Sequence, residues 1–130
     1  MFCIYNFQSK ELEYVNCGHP HPFLFYGKEI KTLDKGSTVL GMFPKLPKFS
    51  VSKIKMKGGF NLFCYTDGII ETRNDFGDFY GSRRLLSLFT SKKIKPKKII
   101  KSVIDDVNDF KGKNLTDDDI TLLMTTVRNE

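Results

Sequence analysis

Asp67 closes the apolar run Asn61-Leu62-Phe63-Cys64-Tyr65-Thr66 and is followed by Gly68. Asp117-Asp118-Asp119 opens a second run, Ile120-Thr121-Leu122-Leu123-Met124-Thr125-Thr126-Val127. Both runs have the length and residue types of strands. If the two are antiparallel neighbours, the end of the first lies beside the start of the second, and Asp67 meets the acidic triplet. Side chains alternate along a strand, so Asp118 points away from the face of Asp117 and Asp119. Carboxylates held together resist ionising unless a cation compensates them. Oxygen-only donors suit a hard cation, Mg2+ or Mn2+. The plainer alternative is turn chemistry at Asp67-Gly68 and a solvated loop or helix cap at the triplet.

The elements that must position these residues fall in a clear order. Residues 1–7 are a near-continuous apolar run, read as a buried strand, and Gln8-Ser9-Lys10 is turn chemistry. Residues 11–17 begin with charge and apolar side chains in alternation, so 1–7 and 11–17 form a predicted hairpin. Gly18-His19-Pro20-His21-Pro22 cannot be helix, because two prolines remove donors and restrict their neighbours. His19 and His21 are therefore loop histidines. Phe23–Tyr26, residues 29–33 and the alternating Lys53-Ile54-Lys55-Met56-Lys57 read as further strands, and 34–49 as an ordered loop punctuated by Gly36, Gly41, Pro44 and Pro47. After Gly68 the period becomes helical. A short helix starts at Ile69, Leu85, Leu86 and Phe89 share one helical face, and 96–110 is the clearest helix. Its Ile99, Ile100, Val103, Ile104, Val107 and Phe110 recur every three or four residues, and Pro96 suits its first turn. Strands, then helices, then one strand is an α+β pattern with mainly antiparallel pairing.

Composition excludes several classes. The 130 residues carry 40% apolar and 28% charged side chains with 12 Phe, a globular balance and one domain's length, or part of a larger domain. No apolar run approaches the ~18–20 residues of a membrane span, and the first residues lack the basic region and small-residue cleavage site of a signal peptide. Cys3, Cys17 and Cys64 are odd in number and lack CxxC spacing. They read as buried thiols of a reducing cytoplasm, not as a disulfide framework or a zinc site. The net charge of +6 comes from 21 basic and 15 acidic groups, concentrated in the first half, and reads as a lysine-rich solvated surface. The lysine run from Lys92 to Lys98 reads as a solvated connector.

The residues around the two acidic sites resemble a known family. Tyr65-Thr66-Asp67-Gly68-Ile69-Ile70-Glu71-Thr72-Arg73-Asn74 is similar to the YTDGxxEaRN signature of the SpoIIE-like branch of PPM (type 2C) serine/threonine phosphatases. Asn16-Cys17-Gly18-His19-Pro20-His21-Pro22 resembles its NAGHxP segment, and Val39-Leu40-Gly41 its short stretch ending in LG. Phe79-Tyr80-Gly81-Ser82-Arg83-Arg84-Leu85 resembles its FG–RL segment, and Asp118-Asp119-Ile120-Thr121-Leu122-Leu123 its terminal DDITLL strand. Five matches in the family's order span nearly the whole chain.

The resemblance implies an antiparallel β-sandwich flanked by helices, and removal of phosphate from phosphoserine or phosphothreonine by a water that two Mn2+ or Mg2+ ions activate. Carried over by motif, Asp67 and Asp118 bind metal, Gly68 and Asp119 lie beside them, and His19 sits where the wider family often has an acidic residue near the metals. Glu71 and Arg73 anchor the helix after the strand by an ion pair or backbone contacts. The implied partner is a phosphorylated regulatory protein, such as an anti-sigma-factor antagonist, with a sensor domain upstream. The family's earlier metal motif, similar to GDxxGHG, does not occur here. Gly77-Asp78-Phe79-Tyr80-Gly81 falls inside the FG–RL segment and does not replace it. The expected object is thus the C-terminal part of such a domain, its N-terminal part missing, inactive or incomplete alone. A degenerate pseudophosphatase that docks a regulatory protein is the alternative. A small nucleic-acid-binding domain is disfavoured, because no recognised module is present and the aromatic residues are not interleaved with basic ones.

Overall fold

The computed structural model describes residues 1–45, 48–91, 96–114 and 118–128. Asp117, Pro47 and the start of the lysine run after Ser91 lie outside the described residues. The elements are β1 (Phe2–Asn6), β2 (Glu11–Cys17), β3 (Phe23–Tyr26), β4 (Glu29–Thr32), β5 (Gly36–Ser37), β6 (Ser52–Lys55), β7 (Phe60–Tyr65), α1 (Asp67–Ile70), α2 (Gly81–Ser91), α3 (Pro96–Lys111) and β8 (Leu122–Val127). They form two compact units, Met1–Cys64 with Met124–Glu130, and Tyr65–Leu123.

The first unit is built from two sheets. In one, β1 and β6 both pair antiparallel with residues 11–14 of β2 and therefore occupy its two edges. The other runs in the order β4-β3-β7-β8. Strand β2 shows why the sheets face each other. Leu12, Tyr14 and Asn16 are buried, while the residues between them are only partly so, the period of two that a strand with one core face requires. Leu12, Tyr14 and Met56 join Leu24, Phe60 and Leu62 of the other sheet in a single apolar cluster with Leu33. The molecule is thus α+β with antiparallel sheets packed on a shared core. On the opposite face of β2, Glu13 and Glu11 meet Lys53 of β6 at 2.7 and 3.6 Å, exposed pairs that water and salt screen.

Three expectations are corrected in this unit. The run 1–7 is not a buried strand: Phe2 and Ile4 are 63% and 69% exposed. They share the outer face of β1 with Val15 and Glu13, their partners on β2, while Tyr5 on the other face packs against the core. Apolarity alone did not reveal which face was covered. Cys3 is likewise exposed, and Cys17 and Cys64 are half-buried, so the thiols are free but not deeply buried. The loop 34–49 contains the two-residue strand β5, which pairs in parallel with Asn16 and Cys17. Two residues are too few to show periodicity.

The second unit is helical. In α2, Leu85, Leu88 and Phe89 are buried at helical spacing, and in α3, Ile99, Val103 and Val107 are buried four residues apart. Helix α2 packs on both α1 and α3. Ile104, expected in the core stripe of α3, is 43% exposed. It follows Val103 by one residue and so points about 100° round the helix. The α2–α3 contact is fixed by a polar group. The Tyr80 hydroxyl donates to Asp106 Oδ2 at 2.8 Å and Arg84 Nε donates to the same oxygen at 3.0 Å. The Tyr80 ring meets Phe110 edge-on at 5.4 Å. Burial, and then the bond to Asp106, push the Tyr80 phenol well above its ordinary range. No helix among the described residues is long and apolar enough to cross a membrane.

Candidate functional site

The junction between β7 and β8 brings the two acidic segments together. Thr126 Oγ1 donates to Asn61 Oδ1 at 2.7 Å near one end. At the other, the Thr66 backbone N–H donates to the Thr121 carbonyl at 3.1 Å. The contacts are five residues apart on each strand in opposite directions, which is antiparallel pairing. Thr66 closes the junction with its side chain. Its hydroxyl donates to the Asp119 carbonyl at 3.0 Å and accepts from the Thr121 N–H at 2.9 Å. The strand ends expected to adjoin therefore do so, with Asp67 directly after Thr66 and Asp118 directly before Asp119.

Gly68 makes this approach possible. It is buried, and a Cβ there would stand 2.6 Å from the Asp119 carbonyl oxygen and 3.2 Å from that of Asp118. Its backbone is helical, so the requirement for glycine is one of space, not of an unusual φ. The Gly68 carbonyl accepts from the buried Thr72 hydroxyl at 2.6 Å, which closes the short helix α1 from below. Asp67 stands in the first turn of α1 with its side chain exposed, and Glu71 N–H donates to the Asp67 carbonyl. Asp118 is exposed too, and its Oδ1 accepts from the Asp119 N–H at 2.7 Å.

Beside the junction is a hollow of about 240 Å3 lined by Gly68, Glu71, Thr72, Arg73, Phe79 and Asp118. Arg73 is held over the Phe79 ring, 3.9 Å from its centroid, and its Nη1 donates to the Gly77 carbonyl at 2.9 Å. The loop that carries Phe79 is organised by Asn74, whose Oδ1 accepts from the N–H groups of Phe76 and Asp78. Of the two expected anchors of the post-strand helix, Arg73 works through a backbone contact and an aromatic face. Glu71 lines the hollow.

His19 and Asn16 belong to the first unit. Buried Asn16 builds the turn. Its Oδ1 accepts from the His19 N–H at 2.9 Å and its Nδ2 donates to the His19 carbonyl at 2.9 Å. The His19 ring Nδ1 contacts the Pro20 carbonyl at 2.6 Å, so the imidazole serves its own loop.

The donor set has the right chemistry for a hard cation but too few members for a whole centre. Asp67 and Asp118 supply carboxylate oxygens at adjoining strand ends. Among the described residues no group of three or more His, Cys, Asp or Glu side chains could hold a metal ion. The motifs drew attention to Asp67, Gly68, Asp118 and Asp119. They did not reveal that Thr66 joins the strands, or that Phe79 carries Arg73. A threonine at a strand end next to the acidic pair was the available signal for the first.

The fold is that of PP2C phosphatase domains. It superposes on the SiaA-PP2C domain of Pseudomonas aeruginosa with a TM-score of 0.74 at 17% identity, over 95% of this chain and 48% of that one. The manganese-presoaked phosphatase domain of the cell fate determinant SpoIIE from Bacillus subtilis gives 0.67 at 17% identity, over 99% and 56%. The RsbU and RsbW domains of Rv1364c from Mycobacterium tuberculosis give 0.65 at 24% identity, over 95% and 34%. Residues 1–128 match the Stage II sporulation protein E (SpoIIE) family, and the chain belongs to it. It is also similar to protein IcfG of Synechocystis sp., 26% identical over 123 residues, which are 94% of this chain and 19% of that protein. The chain thus spans about a fifth of that relative and about half or less of the first solved domains.

Proposed function

We propose that this chain supplies part of the metal centre of a protein serine/threonine phosphatase of the SpoIIE type, with Asp67 and Asp118 as metal ligands. The observation that carries this reading is the Thr66 junction, which sets Asp67 and Asp118 at adjoining strand ends. Family membership supports it. Two divalent ions, Mn2+ or Mg2+, would lower the pKa of a shared water and neutralise phosphate oxygens, so no protein nucleophile is needed. The chain's own residues have simpler tasks. Asp67 and Asp118 offer hard oxygen donors, and Gly68 leaves room for the backbone that carries Asp118 and Asp119. Asp119 sits beside the ligands, joined to Thr66 through its carbonyl.

Two carboxylates do not hold two ions at the ~3.5–4 Å separation of such centres. A complete centre would therefore take a further carboxylate ligand, of the kind carried by a GDxxGHG-like motif, which these 130 residues do not contain. The substrate class is a phosphoserine or phosphothreonine on a regulatory protein. An anti-sigma-factor antagonist is the example suggested by the likeness to a chain with RsbU and RsbW domains. The reading implies a cytoplasmic setting and a sensor domain elsewhere in the protein.

The test is Mn2+-dependent hydrolysis of a phosphoserine peptide by this chain, alone and mixed with a segment bearing the GDxxGHG-like motif, with Asp67→Asn as control. The expected result is no turnover alone and turnover in the mixture that Asp67→Asn abolishes. Turnover that survives Asp67→Asn would refute the assignment.

A further inference from the structure

At the start of β7 and the end of β8 lies a second hollow, about 530 Å3, lined by Tyr5, Phe7, Lys10, Lys57, Gly58, Val127 and Arg128. That volume falls within the roughly 300–1,000 Å3 of ligand sites. Three of its walls are cations and none is an acid. The stretch from Lys35 to Thr66 contains no Asp or Glu at all. The ion pairs of the described residues lie elsewhere, at Glu29–Lys31, Lys53 with Glu11 and Glu13, Arg84–Asp106 and Lys101–Asp105. No acidic side chain lines this hollow, and among the described residues none of its three cations takes part in an ion pair, which favours an anion.

The lysines are held by their backbone. The Met56 N–H donates to the Lys10 carbonyl at 2.8 Å, which fixes Lys10 beside the turn that starts at Lys57. The Lys57 N–H donates to the Tyr26 hydroxyl at 2.6 Å. Lys10 has φ +53°, the only positive φ at a non-glycine among the described residues, so a lysine occupies a backbone conformation that disfavours it. Beside the cations the Tyr5 ring stands edge-on between Phe7 at 4.8 Å and Phe60 at 5.0 Å. Phe7 is 72% exposed, an aromatic face free to take a planar ring. Cations next to an open aromatic ring are the elements that bind a nucleotide's phosphates and its base.

We propose that Lys10, Lys57, Arg128 and Phe7 form a binding site for a nucleoside polyphosphate, with the phosphates on the three cations and the base on Phe7. The site shares no residue with the Asp67–Asp118 junction and does not depend on the phosphatase reading.

The test is calorimetric titration of the 130-residue chain in metal-free, low-salt buffer with ATP, with tripolyphosphate and with adenosine. The expected result is one site for ATP, weaker binding of tripolyphosphate, and weaker binding still of adenosine. Lys57→Gln, and Lys10→Asn, which tolerates the left-handed backbone, should each lower ATP affinity about tenfold or more. Phe7→Ser should weaken ATP and leave tripolyphosphate unchanged. Lys113→Gln, which removes the same charge elsewhere, should change neither. No ATP binding, or an equal loss in Lys113→Gln, would overturn the site. Tripolyphosphate as tight as ATP, or adenosine as tight as ATP, would overturn the two-part recognition.

Discussion

Replacing Gly68 by alanine adds one methyl group at the point where α1 meets the segment before β8. The new Cβ would lie 2.6 Å from the Asp119 carbonyl oxygen, 3.1 Å from the Asp119 carbonyl carbon and 3.2 Å from the Asp118 oxygen. All three neighbours are backbone atoms, so no side chain can rotate away, and the 118–119 segment itself must move by several tenths of an ångström. Overpacking of this kind costs about 1–3 kcal/mol. Alanine in a helical position returns at most about 1 kcal/mol. The displaced Asp119 carbonyl also loosens the hydrogen bond from Thr66, which adds about 1 kcal/mol. The net expectation is a loss of about 1–3 kcal/mol, a fall in Tm of several degrees for a chain of this size. Urea unfolding followed by circular dichroism measures it. Ser82→Ala, on the exposed side of α2, controls for helix propensity. A Gly68→Ala protein as stable as the parent would refute the close approach of α1 and the Asp118–Asp119 backbone, and with it the geometry of the proposed centre.

Thr66→Val removes a donor to the Asp119 carbonyl and an acceptor for the Thr121 N–H while keeping the side chain's shape. It should cost about 1–3 kcal/mol in urea unfolding, and an unchanged midpoint would show that the junction does not depend on the hydroxyl. Burial pushes the Tyr65 phenol from 10.0 up to about 12. The folded state therefore keeps a proton that the unfolded chain loses, so stability should hold below pH 10 and fall as pH rises from 10 toward 12. Tyr65→Phe should flatten that fall in pH-dependent unfolding, and an unaltered slope would assign it to other groups.

Much of the fold could be read from local pattern. The alternation in residues 11–17, the apolar runs before Asp67 and after Asp119, and the four-residue spacing of Ile99, Val103 and Val107 each report one buried face, which is a property of the segment itself. Features set by partners distant in the chain were hidden. Phe2 and Ile4 look like core residues until β2 shows which side of the sheet they occupy. Strand β5 exists only because Asn16 and Cys17 offer it an edge. Asp106 is one of several carboxylates on α3 until Tyr80 and Arg84 converge on it from 22 or more residues away. The acidic pair was legible because its segments carry motif residues in order. Thr66 was not singled out, because its role lies in two bonds made across strands.

In the proposed function Asp67 and Asp118 are both ligands of divalent cations. Electron paramagnetic resonance titration with Mn2+ of the parent chain, Asp67→Asn and Asp118→Asn tests it directly, because both side chains are exposed and each isosteric change should alter stability by no more than about 0.5 kcal/mol. The expected result is a Mn2+ site in the parent that either substitution removes while the fold stays intact. Equal Mn2+ affinity in the parent and both variants would contradict it.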